Sequence, residues 1–102
     1  MLAEFSYHPY NRKNVEKVEE RWGVYKLADH AKRVLFLGRG NVKKHLQKHL
    51  PDSEAPAEGV KFFSVEYFES GEEAFEEWRN QMRTHHKRFD SYPKYNKPLE
   101  ED

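Results

Sequence analysis

The chain contains no cysteine. That excludes a disulfide framework and thiolate metal sites, and it suits a reducing, cytoplasmic compartment. Charge of one sign is also missing: 18 Lys and Arg stand against 18 Asp and Glu, a formal net charge of +0. A strongly basic nucleic-acid binder has a different balance, so any electrostatic function must come from local distribution. No apolar run is long enough to span a bilayer, and the N-terminus lacks the apolar stretch of a secretory signal. The expectation is a soluble intracellular protein with no membrane partner. No internal repeat is visible, and nothing in the sequence indicates an oligomeric state.

What is present is a chain of 102 residues, the length of one compact domain. Its aromatic residues are concentrated. Phe62, Phe63, Tyr67, Phe68, Phe75 and Trp78 fall in one stretch, and each can bury a large apolar area in a small core. Charge is segregated as well. Between Gly38 and Leu50 there is no acid, whereas Arg39, Lys43, Lys44 and Lys48 are basic. Between Glu66 and Glu77 the balance is acidic, and the chain ends in Glu100, Glu101 and Asp102.

The pattern predicts the order helix, strand, strand, helix, strand, helix after an irregular aromatic start over residues 1–10. Asn11 can cap a helix over 12–20, with Val15 and Val18 as its narrow apolar edge on the surface. Residues 22–27 read as a strand. After a polar connection, Val34-Leu35-Phe36-Leu37 is an unbroken apolar run, which predicts a central strand paired with the first as an antiparallel hairpin. The Gly38-Arg39-Gly40 break precedes a helix over 41–50, in which Val42, Leu46 and Leu50 share a face. Pro51 ends it, and residues 51–59 form a surface loop. A third strand spans 60–68. Ser70 caps a long helix over 71–88, with Glu73 placed for a capping box. Its acids lie early and its bases late, as the helix dipole favours. The segment Pro93-Lys94-Tyr95-Asn96 is expected to dock extended. The fold class implied is α/β of the α+β type: a small three-stranded antiparallel sheet flanked by helices. The expected organisation is an N-terminal segment and helix over 1–21, a core domain over 22–96 and an acidic disordered tail over 97–102.

Several of these motifs together resemble a known family. Gly23-Val24-Tyr25 is similar to the first half of the GIY-YIG nuclease signature. Phe36-Leu37-Gly38 resembles the second half, with Phe for Tyr. The stretch from Asn41 to Leu50 resembles the helix that follows, and Pro93-Lys94-Tyr95-Asn96 resembles the ending of excision-repair nuclease subunits. The resemblance covers residues 22–96.

The resemblance implies phosphodiester cleavage with one divalent cation, Mg2+ or Mn2+, held by a glutamate of the long helix. Such a cation would polarise the phosphoryl oxygen and stabilise the leaving group. Tyr25 matches the tyrosine that assists the attacking water. Phe36 has lost the second hydroxyl, and core packing accounts for it. His45 stands where the family carries a phosphate-contacting arginine, and an imidazole lacks that permanent, forked charge. Family spacing points to Trp78 for the metal ligand, which cannot serve. Glu77, one residue earlier, is the chosen metal ligand, with Glu73 and Glu76 as lesser candidates. A solvated first turn of the helix accounts equally well for these acids. The candidate catalytic set is Tyr25, His45 and Glu77, and the candidate phosphate-binding set is Arg39, Lys43, Lys44 and Lys48. The amides at the Gly38-Arg39-Gly40 turn also favour anions. His45 and His49 are four apart on a helix, a weak zinc pattern without a third ligand.

Three functions follow. The first is a nuclease-like domain that binds the DNA phosphate backbone with weak or lost cleavage. The second is an active metal-dependent DNA endonuclease. The third is a protein-interaction module that keeps only the fold.

Overall fold

A computed structural model describes residues 2–99. The elements run β1 (His8–Pro9), α1 (Arg12–Glu16), β2 (Trp22–Ala28), β3 (Val34–Asn41), α2 (Val42–Lys48), β4 (Phe62–Tyr67) and α3 (Gly71–Phe89). The four strands form one sheet in the order β1-β4-β2-β3, and each neighbouring pair is antiparallel. The architecture is α+β.

The sheet therefore has four strands rather than three. The extra one is the short β1, whose His8 and Pro9 pair with Phe63 and Phe62. Pro9 lacks an amide donor, so only the outer rim of a sheet can accept such a strand. The apolar run of β3 does not mark a central strand. β3 lies at the other edge, and β2 and β4 are central. Its apolar residues are covered from the edge by the C-terminal segment. Tyr95 N donates to Leu35 O at 2.9 Å, and the Asn96 side chain takes both groups of Leu37, accepting from its N–H at 2.8 Å and donating to its carbonyl at 2.9 Å. That segment docks as expected but turns, with Asn96 N bonded to Pro93 O. A covered edge needs no charged guard.

Side chains alternate across the sheet, so cross-strand partners share a face. One face carries Tyr25 with its partners Gly38 and Val65, and Leu27 with Phe36 and Phe63. Tyr10, Val15, Val18, Val42, Leu46 and Leu50 close over it as the main core. Fully burying a side chain such as Phe63 or Leu46 stabilises the fold by roughly 1.5–3 kcal/mol. The Tyr10 hydroxyl donates to Leu46 O at 2.6 Å and ties the N-terminal segment to α2. Residues 1–21 thus supply core side chains to the same domain as 22–96. The other face carries Val24, Lys26, Leu37, Ser64 and Glu66. The long helix α3 packs there, burying Ala74 and Met82.

Asn11, Asn41 and Ser70 each accept a bond from the backbone amide three residues on, as helix caps do. The carboxylate of Glu73 returns its bond to Glu69 N, one residue before the cap. Helices α1 and α2 are shorter than expected. Val15 and Val18 bury at three-residue spacing within one turn, and Leu50 enters the core beyond the end of α2. In the tail, residues 97–99 are irregular and 100–102 lie outside the described residues. Among the described residues, no helix is long and apolar enough to cross a membrane.

Candidate functional site

The β2–β3 pairing places Tyr25 opposite Gly38. The Tyr25 ring lies across the Gly38 backbone, and a Cβ at residue 38 would occupy the same space as that ring. The next glycine, Gly40, has φ +121, a conformation that favours glycine, and it faces the His45 imidazole; Gly38-Arg39-Gly40 does not break the strand as expected but pairs with β2, and β3 runs on to Asn41. A Cβ at Gly40 would stand 3.1 Å from His45 Nε2. Two glycines on β3 thus admit two rings, one from β2 and one from α2.

These rings meet. The Tyr25 hydroxyl is 3.5 Å from His45 Nδ1, a long contact, and the ring centroids are 5.9 Å apart. Phe36 stands on the other side of Tyr25, also at 5.9 Å. The group opens onto a hollow of about 440 Å³. Tyr25, Leu27, Phe36 and His45 form part of its lining, together with Lys48, His49, Ala57, Glu58 and Tyr95. His49 Nδ1 is 2.8 Å from Ala55 O, so this ring nitrogen donates to the carbonyl. Tyr95 donates its hydroxyl to Glu58 O at 2.8 Å, bridging the C-terminal segment to the loop after α2.

The wall of the hollow carries both Lys48 and Glu58 around a neutral imidazole. Burial holds the His45 pKa below the ordinary histidine value, and Lys48, Arg39 and His49 depress it further. Burial pushes the Tyr25 phenol up to about 12, so it is a neutral hydrogen-bonding group at physiological pH. At neutral pH the phenol therefore keeps its proton, and the imidazole is in its neutral form.

The structure brings Tyr25 and His45 together and leaves Glu77 apart. Glu77 belongs to α3, across the sheet. Its carboxylate accepts from Gln81 Nε2 at 2.8 Å, and the same amide nitrogen reaches Glu66 at 3.2 Å. Desolvation and then the neighbouring Glu77 charge raise the Glu66 pKa. These carboxylates do not fit a cation working beside Tyr25. Among the described residues, no group of three or more His, Asp or Glu could hold a metal ion. Trp78, at the spacing where the resemblance asks for a carboxylate, donates its indole N–H to Leu37 O at 2.9 Å.

The four basic candidates also divide. Lys48 lines the hollow, and Lys44 is exposed one turn before it on α2. Lys43 is turned to α1, its Nζ donating to Glu16 O at 3.0 Å. Arg39 leaves the other face of β3 and stacks over Phe75 at 4.5 Å and Trp78 at 5.4 Å. Sequence reasoning missed Ala57, Glu58 and Tyr95 as walls of the hollow. The motif containing Tyr95 was visible, but its approach to the loop after α2 is a tertiary event.

Fold and site together define a small α+β domain with an imidazole-lined, partly cationic hollow on one face of an antiparallel sheet. The chain belongs to the family described as a domain of unknown function, DUF7508, whose profile matches residues 1–86. Searches of curated proteins and of solved structures gave no match.

Proposed function

We propose that the chain is a GIY-YIG-like, nuclease-derived domain that binds the phosphate backbone of DNA and has lost metal-dependent cleavage. One observation carries this reading: Tyr25 and His45 share the hollow beside Lys48, while Glu77 stands across the sheet. The cations that disfavour a proton on His45 create a positive potential that favours a phosphate oxygen. A bound phosphate in turn favours the imidazolium, so the site gains a donor when it is occupied. The Tyr25 hydroxyl is placed to donate to the same anion.

Two measurements test this. Incubation with supercoiled plasmid and Mg2+ or Mn2+ is expected to give no nicking. Nicking that disappears in Glu77→Ala would instead establish an endonuclease. Duplex binding is expected to weaken as salt rises. The variant Lys44→Ala/Lys48→Ala should lower the steepness of the log–log salt plot by about 1 for each phosphate that is no longer neutralised. If there is no affinity even at low salt, the DNA-binding reading fails and a protein-interaction module is left.

A further inference from the structure

The face of the sheet opposite Tyr25 and His45 carries a second recess. The sheet, the last turns of α3 and the segment after it enclose a groove of about 1000 Å³. Its walls carry Lys26, Lys32, Arg33, Arg88 and Lys94. The one carboxylate in that lining, Asp29, is already engaged. It accepts from the amides of Ala31 and Arg33 and from Arg33 Nε, each at 2.9 Å. Four cationic side chains then remain in a chain whose formal charge is zero.

Ordinary structural causes cover only part of this convergence. Arg88 suits the C-terminal end of α3. Lys26 has no such explanation. It is half-buried on β2, directed at the α3 face, and no ion pair holds it among the described residues. Glu66 on β4 feels its charge without closing a salt bridge to it. An inward lysine guards an edge strand against mispairing, but β2 is paired on both sides. A half-buried lysine covers apolar surface with its stem and keeps its ammonium at the solvent side, here the groove. The cations arrive from four places in the chain: β2, the β2–β3 turn, the end of α3 and the C-terminal segment. Aromatic rings stand among them. Phe89 lines the groove while 57% exposed, and Tyr7 and Tyr92 line it too.

We propose that this groove binds the phosphodiester backbone of a single-stranded nucleic acid, with a base stacking on Phe89. Clustered cations that track a backbone, with an aromatic face beside them, are the elements of single-strand binding. The inference does not depend on the Tyr25–His45 hollow.

The test is fluorescence anisotropy of a labelled oligothymidine, with inorganic polyphosphate as competitor. The variants are Lys32→Ala/Arg88→Ala/Lys94→Ala, Phe89→Ala and Lys44→Ala/Lys48→Ala, each first checked for cooperative melting. The triple variant is expected to weaken the oligonucleotide at least roughly tenfold at low salt and to lower the salt slope by about 2. Phe89→Ala is expected to weaken it roughly fivefold or more, with competition by polyphosphate at the remaining sites unchanged. If the triple variant binds like the wild type, the groove proposal is overturned. Loss of binding in Lys44→Ala/Lys48→Ala alone also overturns it, and leaves the hollow as the binding site. A triple-variant loss together with a neutral Phe89→Ala would make the groove a general polyanion site and overturn the nucleic-acid assignment. If the wild type binds neither oligothymidine nor duplex DNA, both this proposal and the function proposed above fall.

Discussion

Gly38 and His45 set the chemistry of the hollow residue by residue, and each makes a measurable claim. Because the Tyr25 ring fills the space above Gly38, Gly38→Ala must push that ring away or bend β3. The expected cost is about 1–3 kcal/mol, read as a lower denaturation midpoint with an unchanged slope. Tyr25→Phe removes only a 3.5 Å contact and should leave stability nearly unchanged. His45 should titrate below an ordinary histidine in an NMR pH series, and Lys48→Ala should raise its pKa by removing a neighbouring cation. The sign for stability follows from that depression. As pH falls below the ordinary histidine value, the unfolded chain takes up its proton first, so the fold loses stability until His45 itself protonates. A bound phosphate should move the His45 midpoint upward.

Among the elements, β3 is the one most dependent on others. It is an edge strand with an apolar run, and its open side is closed by a side chain rather than by a further strand. Asn96 supplies an acceptor for Leu37 N–H and a donor for Leu37 O, much as a paired residue would. Asn96→Ala leaves the Leu37 N–H without its acceptor, while the carbonyl keeps the Trp78 indole, and should cost roughly 1–3 kcal/mol. Faster amide hydrogen exchange at Leu37, with α1 and α2 unaffected, would localise the effect. Unchanged exchange there would show that the segment is not what covers the edge. The opened apolar edge should also raise the tendency to associate. Tyr95 in the same segment walls the hollow, so the cover of the strand and the rim of the site are one element.

Across the whole molecule, zero net charge conceals a cationic groove on one face of the sheet, a hollow carrying Lys48 and Glu58 on the other, and an acidic cluster at the start of α3. The nucleic-acid binding proposed above is therefore expected to be modest and strongly dependent on salt. Acid stability has a sign of its own. Asp29 is held below its ordinary value, first by the Arg33 amide, and Asp52 by the Arg12 guanidinium. Their stabilisation is complete above the ordinary aspartate value and is lost as pH falls through the lowered folded-state values. Glu66 opposes them. Its pKa is raised, so its ionised form at neutral pH weakens the fold. Glu66→Gln should raise the melting temperature at neutral pH, and the gain should shrink as pH falls through the raised folded-state value and vanish below the ordinary glutamate value. A loss at neutral pH would mean that the Gln81 hydrogen bond outweighs the buried charge.

Local patterns were enough for the helices, their caps and the β2–β3 hairpin, because capping, periodicity and turn chemistry act over a few residues. Asn11, Asn41 and Ser70 cap where their types predict, and of the three side chains expected to meet, Tyr25 and His45 do so without Glu77. Sequence alone did not reveal which face of the sheet each helix covers. A helix stripe is equally apolar whichever face it packs against, so Glu77 could not be separated from Tyr25 in advance. Nor did it reveal that β3 is an edge, since an apolar run reads the same beneath a neighbouring strand as beneath Asn96. The groove of Lys26, Lys32, Arg88 and Lys94 exists only because the sheet gathers four distant segments, and charges so far apart along the chain have no common signature before folding.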